Sequence, residues 1–113
     1  MLLSDKKFFL APDQIQQVAP GLGSCYASDM ITVHGLKVGV MFREAPDSLA
    51  DSGWRFFSGT ETAEFGADGD NFGVYEVNTI ANHDAEIVPL LAAPIGSAFE
   101  RAGENGELVP VTA

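Results

Sequence analysis

Four β-rich runs, CYASDMITV (25–33), LKVGVMF (36–42), WRFF (54–57) and FGVYEVNTI (72–80), are each short and each bounded by glycine, proline or a polar turn. Such punctuation favours brief strands joined by turns. His34-Gly35 separates the first two runs and reads as a two-residue hairpin turn, with His34 at a positive φ. In the second run Val38, Val40 and Phe42 share one face. PDQIQQVA (12–19) predicts a short helix, with Pro12 in its first turn and PGLG after it. REAPDSLAD (43–51) is a polar connection, and Asp51-Ser52-Gly53 turns into the strand WRFF. Ser58 and Glu61 have capping-box spacing, so GTETAEF opens a helix. GADGDN (66–71) is a loop. Asp84 caps a turn carrying Ile87, Val88, Leu90 and Leu91, which Pro89 keeps short. SAFER and ELVPV flank AGENG as a closing hairpin, with Pro110 suited to an edge.

The expected fold is therefore α+β: one small domain with a central antiparallel sheet and short helices. The sheet should contain 25–33, 37–43, 54–57, 73–78 and the 97–110 hairpin. Residues 1–24 make an N-terminal segment, and 25–111 form the domain proper. Trp54, Phe56, Val38, Val40, Phe42, Ile31 and Phe99 are the expected core, with Cys25 inert beside them.

Apolar residues are 46% and charged residues 19% of the chain, which is globular composition. No apolar run is long enough to cross a membrane as a helix. The start, MLLSDKKFFLAPD, has its lysines behind the first leucines and too short an apolar run for a signal peptide. The expectation is a cytoplasmic protein without a membrane partner. A single cysteine excludes an internal disulfide framework and any CxxC-type zinc site.

Enzyme chemistry finds little purchase in these residues. Cys25 with His34 or His83 has the makings of a thiol nucleophile and its base, yet no local signature joins them. The histidines lack metal-ligand spacing. The acidic loop DGDN (68–71) begins like a calcium loop, but Thr79 stands where the closing glutamate is needed. SGW is not a nucleophile elbow, and there is no phosphate-cradling glycine loop. Glu61 and Glu64, three residues apart, suit a helix start at least as well as acid–base work. No catalytic residue, no metal and no cofactor is expected.

The net charge is −10, and no Lys or Arg stands between Arg55 and Arg101. That interval carries Glu61, Glu64, Asp68, Asp70 and Glu76, a field that repels nucleic acid and attracts a basic protein, although on charge alone a surface that merely keeps the protein soluble is the better reading. Arg55 is the one base at its margin. Trp and Arg are frequent anchors of protein interfaces, so DSGWRFFSGTE (51–61) doubles as a candidate binding edge. Arg55, Glu61, Glu64, Asp68, Asp70 and Glu76 are the expected partner-binding residues. The oligomeric state is left open.

CYASDMITVHGLKVGVMFREAPD, DSGWRFFSGTE, NTIANHDAEIVPLL and PIGSAFER occur here in an order that resembles a bacterial domain family, the immunity proteins of polymorphic toxin systems. The resemblance spans about residues 25 to 111, and SGWRFFSG and NTIA are its most specific parts. It departs from the family pattern at Ala85, where a proline is expected. The resemblance implies an inhibitor that binds a toxin domain, and it carries no catalytic residues. Alternatives left open by the residues are a small regulatory or housekeeping domain that binds a small molecule or another protein, and an enzyme of another type.

Overall fold

Ser28 ends the first strand and starts the first helix. Its hydroxyl accepts a hydrogen bond from the Met30 amide, which caps the helix. The computed structural model describes residues 6–103 and 106–111. In chain order these form β1 (Ser24–Ser28), α1 (Asp29–Thr32), β2 (Val40–Arg43), β3 (Asp51–Phe57), α2 (Ala63–Ala67), β4 (Phe72–Glu76), α3 (Val77–His83), β5 (Ala98–Arg101) and β6 (Leu108–Pro110). Single 3-10 turns occur at Pro12–Gln14 and Gly69–Asn71, and a longer 3-10 segment at Ala85–Leu90. No helix of the described residues is long and apolar enough to cross a membrane.

The strands form one six-stranded sheet in the order β4-β1-β3-β2-β5-β6. Every neighbouring pair is antiparallel except β1 with β3, which run parallel. The fold is thus α+β, as expected, with β3 inserted between two strands read from sequence as a hairpin. The chain leaves the sheet at Ser28, and α1 follows where a strand was expected to continue to residue 33. No non-glycine residue described has a positive φ; Gly35, at φ 76°, makes the reversal assigned to His34. The Gly35 and Leu36 amides close back onto the carbonyls of Ile31 and Met30.

The same correction applies at 72–80. The strand ends at Glu76, and VNTI, rich in β-branched residues, is helical in α3. At the N-terminus the expected helix over 12–19 is only one 3-10 turn. The reason lies in α3: Asn78 accepts from the Val18 and Ala19 amides, and Asn82 accepts from the Gln16 amide. Those amides are drawn away from a helical ladder. Asp84 caps as expected, accepting from the Glu86 amide, and β5 and β6 pair as the closing hairpin with Pro110 on an edge strand. Residues 104 and 105 of its turn, and 1–5 of the segment judged a poor leader, lie outside the described residues.

The core lies between one face of the sheet and the helices. Cys25, Ala27, Met41, Trp54, Phe56 and Phe99 meet Ile31, Val77, Ile80, Ile87 and Leu91 there, and Val38 joins them from the loop before β2. Val40 and Phe42 are only half-buried, against expectation. Met41 pairs with both Phe56 and Phe99, so it sets the inward phase of β2 and turns its neighbours to the opposite face.

Candidate functional site

That opposite face carries no helix over its centre. A row runs across it from Val74 through Tyr26, Arg55 and Phe42 to Ala98, each the Cα partner of the next. Tyr26 and Val74 are exposed, while Phe42 and Phe57 stack with ring centroids 5.8 Å apart. Phe72 packs edge-on against Phe57 and Phe65, so α2 closes the end of the face near Ser28.

Arg55 sits at the centre and is only 3% exposed. Its guanidinium meets both oxygens of Asp51, at 2.9 and 2.8 Å, and Nε donates to Glu44 at 2.6 Å. Asp47 approaches at 3.8 Å, and the guanidinium carbon lies 4.5 Å from the Tyr26 ring centroid. This is a bidentate, charge-assisted pair with a cation–π contact beside it. Hydrogen bonding from Arg55 holds the Asp51 carboxyl well below the usual carboxylate range, and the same pair raises the Arg55 pKa.

DSGWR folds this way because the strand is bulged. Ser24 pairs with Asp51 and Tyr26 with Arg55, so β3 spends four residues where β1 spends two. In a regular strand Asp51 and Arg55 would stand roughly 13 Å apart. Gly53 makes the kink at φ 89°, and a Cβ there would strike the Glu44 carbonyl oxygen. The Gly53 amide donates to Asp51, which fixes the carboxylate facing Arg55. Asp51-Ser52-Gly53, expected as a turn, is thus part of a seven-residue strand.

The expected binding residues are not assembled into one patch. Arg55 is a buried hub and not a presented side chain. Glu61 accepts from the Ser58 and Gly59 amides and the Ser58 hydroxyl, closing the loop after β3. Burial pushes its pKa up, but hydrogen bonds from Ser28 and Ser58 prevail and leave it lowered. Only the Glu61 half of the capping pattern read at Ser58 thus forms, and without its helix, the Ser58 hydroxyl accepting from the Thr60 amide; Thr62 caps α2 instead. Glu64 is exposed in the first turn of α2. Asp68 caps the 3-10 turn that holds the exposed Asp70. Glu76 is exposed at the far end of β4, opposite Ser24, whereas Glu61 lies near Ser28.

The carboxylates that do converge on Arg55 are Glu44, Asp47 and Asp51, none singled out from sequence. No sequence spacing signals the pair, because a regular strand would hold Asp51 and Arg55 apart. Cys25 lies on the covered face of β1, where burial pushes its thiol up to about 12. His83 keeps a buried Nδ1 without a hydrogen-bond partner, and burial lowers its pKa. No group of three or more His, Cys, Asp or Glu among the described residues has metal-binding geometry.

A family model, the Immunity protein Imm33 domain, matches residues 25–112. The chain belongs to this family. No curated protein and no solved structure matches it. The Imm33 match takes in the whole sheet after Ser24, and with it Arg55 and all its carboxylate partners.

Proposed function

We propose that this Imm33 domain neutralises a toxin domain by binding it in the bacterial cytoplasm, with no catalysis of its own. Membership of the immunity protein family carries the reading. The uncovered sheet face supports it as the contact surface. Exposed Tyr26 and Val74 offer apolar area, and one arginine is set against three carboxylates. With a chain net charge of −10, that balance suits a basic partner. Glu64, Asp68 and Asp70 then act at longer range, by steering the encounter. Arg55 and Glu61 act indirectly, by holding the strand and loop that shape the face.

The test is co-expression with the C-terminal domain of a large secreted protein encoded beside this gene. Protection of growth and a purified complex are expected, with association slowing as salt rises. Absence of both protection and complex refutes the reading, and a metabolic operon in place of a toxin gene redirects it toward a regulatory domain.

A further inference from the structure

At the Ser24 end of the uncovered face a cleft of about 570 Å³ opens between the glycine-rich turn 21–23 and the arm that precedes β3. Its rim carries two leucines. Leu49 is fully exposed, and Leu22 is 46% exposed. Its wall holds Glu76 and Asp51, on either side of Ser24 in the sheet. Asp51 is committed to Arg55. Glu76 is exposed and has no cation partner among the described residues.

We infer that this cleft is the anchor socket for a lysine or arginine side chain of the toxin partner, its aliphatic stem lying against Leu22 and Leu49 and its charged head meeting Glu76. The inference rests on the immunity reading and names where and how the partner is gripped. Leu49 is fully exposed and contributes little burial to the fold, so its apolar surface is open for a partner to cover. Lysine and arginine are the side chains that join an apolar stem to a cationic head. An acidic or wholly apolar side chain leaves Glu76 repelled or desolvated without a counter-charge. Arg55 does not fill this role from within, since Asp51, Glu44 and Asp47 surround it. The turn and the arm are tied together beside the cleft. Gly21 and Gly23 have φ of 78° and 96°; a side chain at Gly23 would collide with the Ala50 carbonyl, which accepts from the Ser24 amide and joins the turn to the arm beside the cleft.

The experiment measures binding kinetics of the full chain against the C-terminal toxin domain encoded beside its gene. Leu49→Ser and Glu76→Lys are compared with wild type and with Glu107→Lys, an exposed reversal on the distant β6 side. Both cleft positions are exposed, and thermal melting checks that each variant is folded. Each cleft variant is expected to weaken binding by roughly tenfold or more, while Glu107→Lys changes it less than about threefold. Leu49→Ser should act mainly on dissociation. Cross-linking from a photoreactive residue at position 49 should land beside a Lys or Arg of the toxin. If the toxin binds but both variants match wild type, or the cross-link joins a segment without a basic residue, the socket is wrong and the immunity reading stands. If wild type itself forms no complex, both fall together.

Discussion

Replacing Arg55 by Met tests whether the cluster on the uncovered face is held together by charge. The substitution keeps an apolar stem over Tyr26 and removes the guanidinium. Asp51, whose side chain is 7% exposed, then keeps only its amide donors from Gly53 and Asp47. Breaking a fully buried pair from one side costs about 3–5 kcal/mol, because a charge is left without its counter-charge. Here Glu44 and Asp47 are 55% and 72% exposed, so water reaches the cluster from their side. Screening brings the expected loss down to about 2–3 kcal/mol, including the cation–π contact. The pH dependence separates this from simple loss of packing. The folded pKa of Asp51 is depressed, so its contribution is full above the unfolded value of about 4 and fades as pH falls toward the folded one. In Arg55→Met that depression is gone. Between pH 7 and pH 3 the gap between wild type and variant should therefore narrow by about 1 kcal/mol or more. Urea unfolding at both pH values measures it, and Arg55→Met with Asp51→Leu should recover much of the loss. A gap under about 1 kcal/mol at pH 7, or one that widens at pH 3, refutes the account.

Other consequences are checked more simply. Phe56→Ala, at a fully buried position beside Trp54, should lose about 3–5 kcal/mol in urea unfolding. Asn78→Ala strands the Val18 and Ala19 amides, so it should lose about 1–3 kcal/mol and speed hydrogen exchange at those amides far more than in β3. Cys25 should resist a thiol reagent at pH 8 in the native protein and react at once in denaturant, since burial keeps it protonated there. Glu61→Lys removes the acceptor that closes the loop after β3 and should destabilise by about 1–2 kcal/mol, whereas Glu64→Lys should be nearly neutral.

The strands were legible where a short apolar run met a turn, as at WRFF, at FGVYE and in the closing hairpin. Misreading came from β-branched residues placed in helices. MIT in α1 and VNTI in α3 have strand-like composition, and each follows directly on a true strand. What decides them is tertiary: the chain leaves the sheet so that Ile31, Val77 and Ile80 can cover Phe56 and its neighbours. Ser28 caps α1 in the structure, whereas α3 has no side-chain cap. The insertion of β3 between β1 and β2 is a long-range choice that local spacing does not encode. For the same reason Arg55 was visible as a lone base among acids, but Glu44 and Asp47, brought in by the arm before β3, were not.

The single parallel pair explains why this face has the character it has. It puts β3 at the centre of the sheet, so Arg55 is walled by Tyr26 on one side and Phe42 on the other and loses its access to solvent. A buried arginine needs its carboxylates, and the bulge at Gly53 supplies Asp51 within the same strand. Glu44 and Asp47 exceed what neutralisation requires, and they stand in water at the rim. The cluster is locked before any partner arrives, so little side-chain freedom is left to lose on binding. Its excess charge lies outside the apolar area and not within it. Charge at a rim acts mainly on the rate of encounter, while desolvated apolar anchors act on residence time. The two should therefore separate in kinetics. Salt and the exposed acids outside the cleft govern association, while Tyr26, Leu22, Leu49 and Glu76 govern how long the complex lasts.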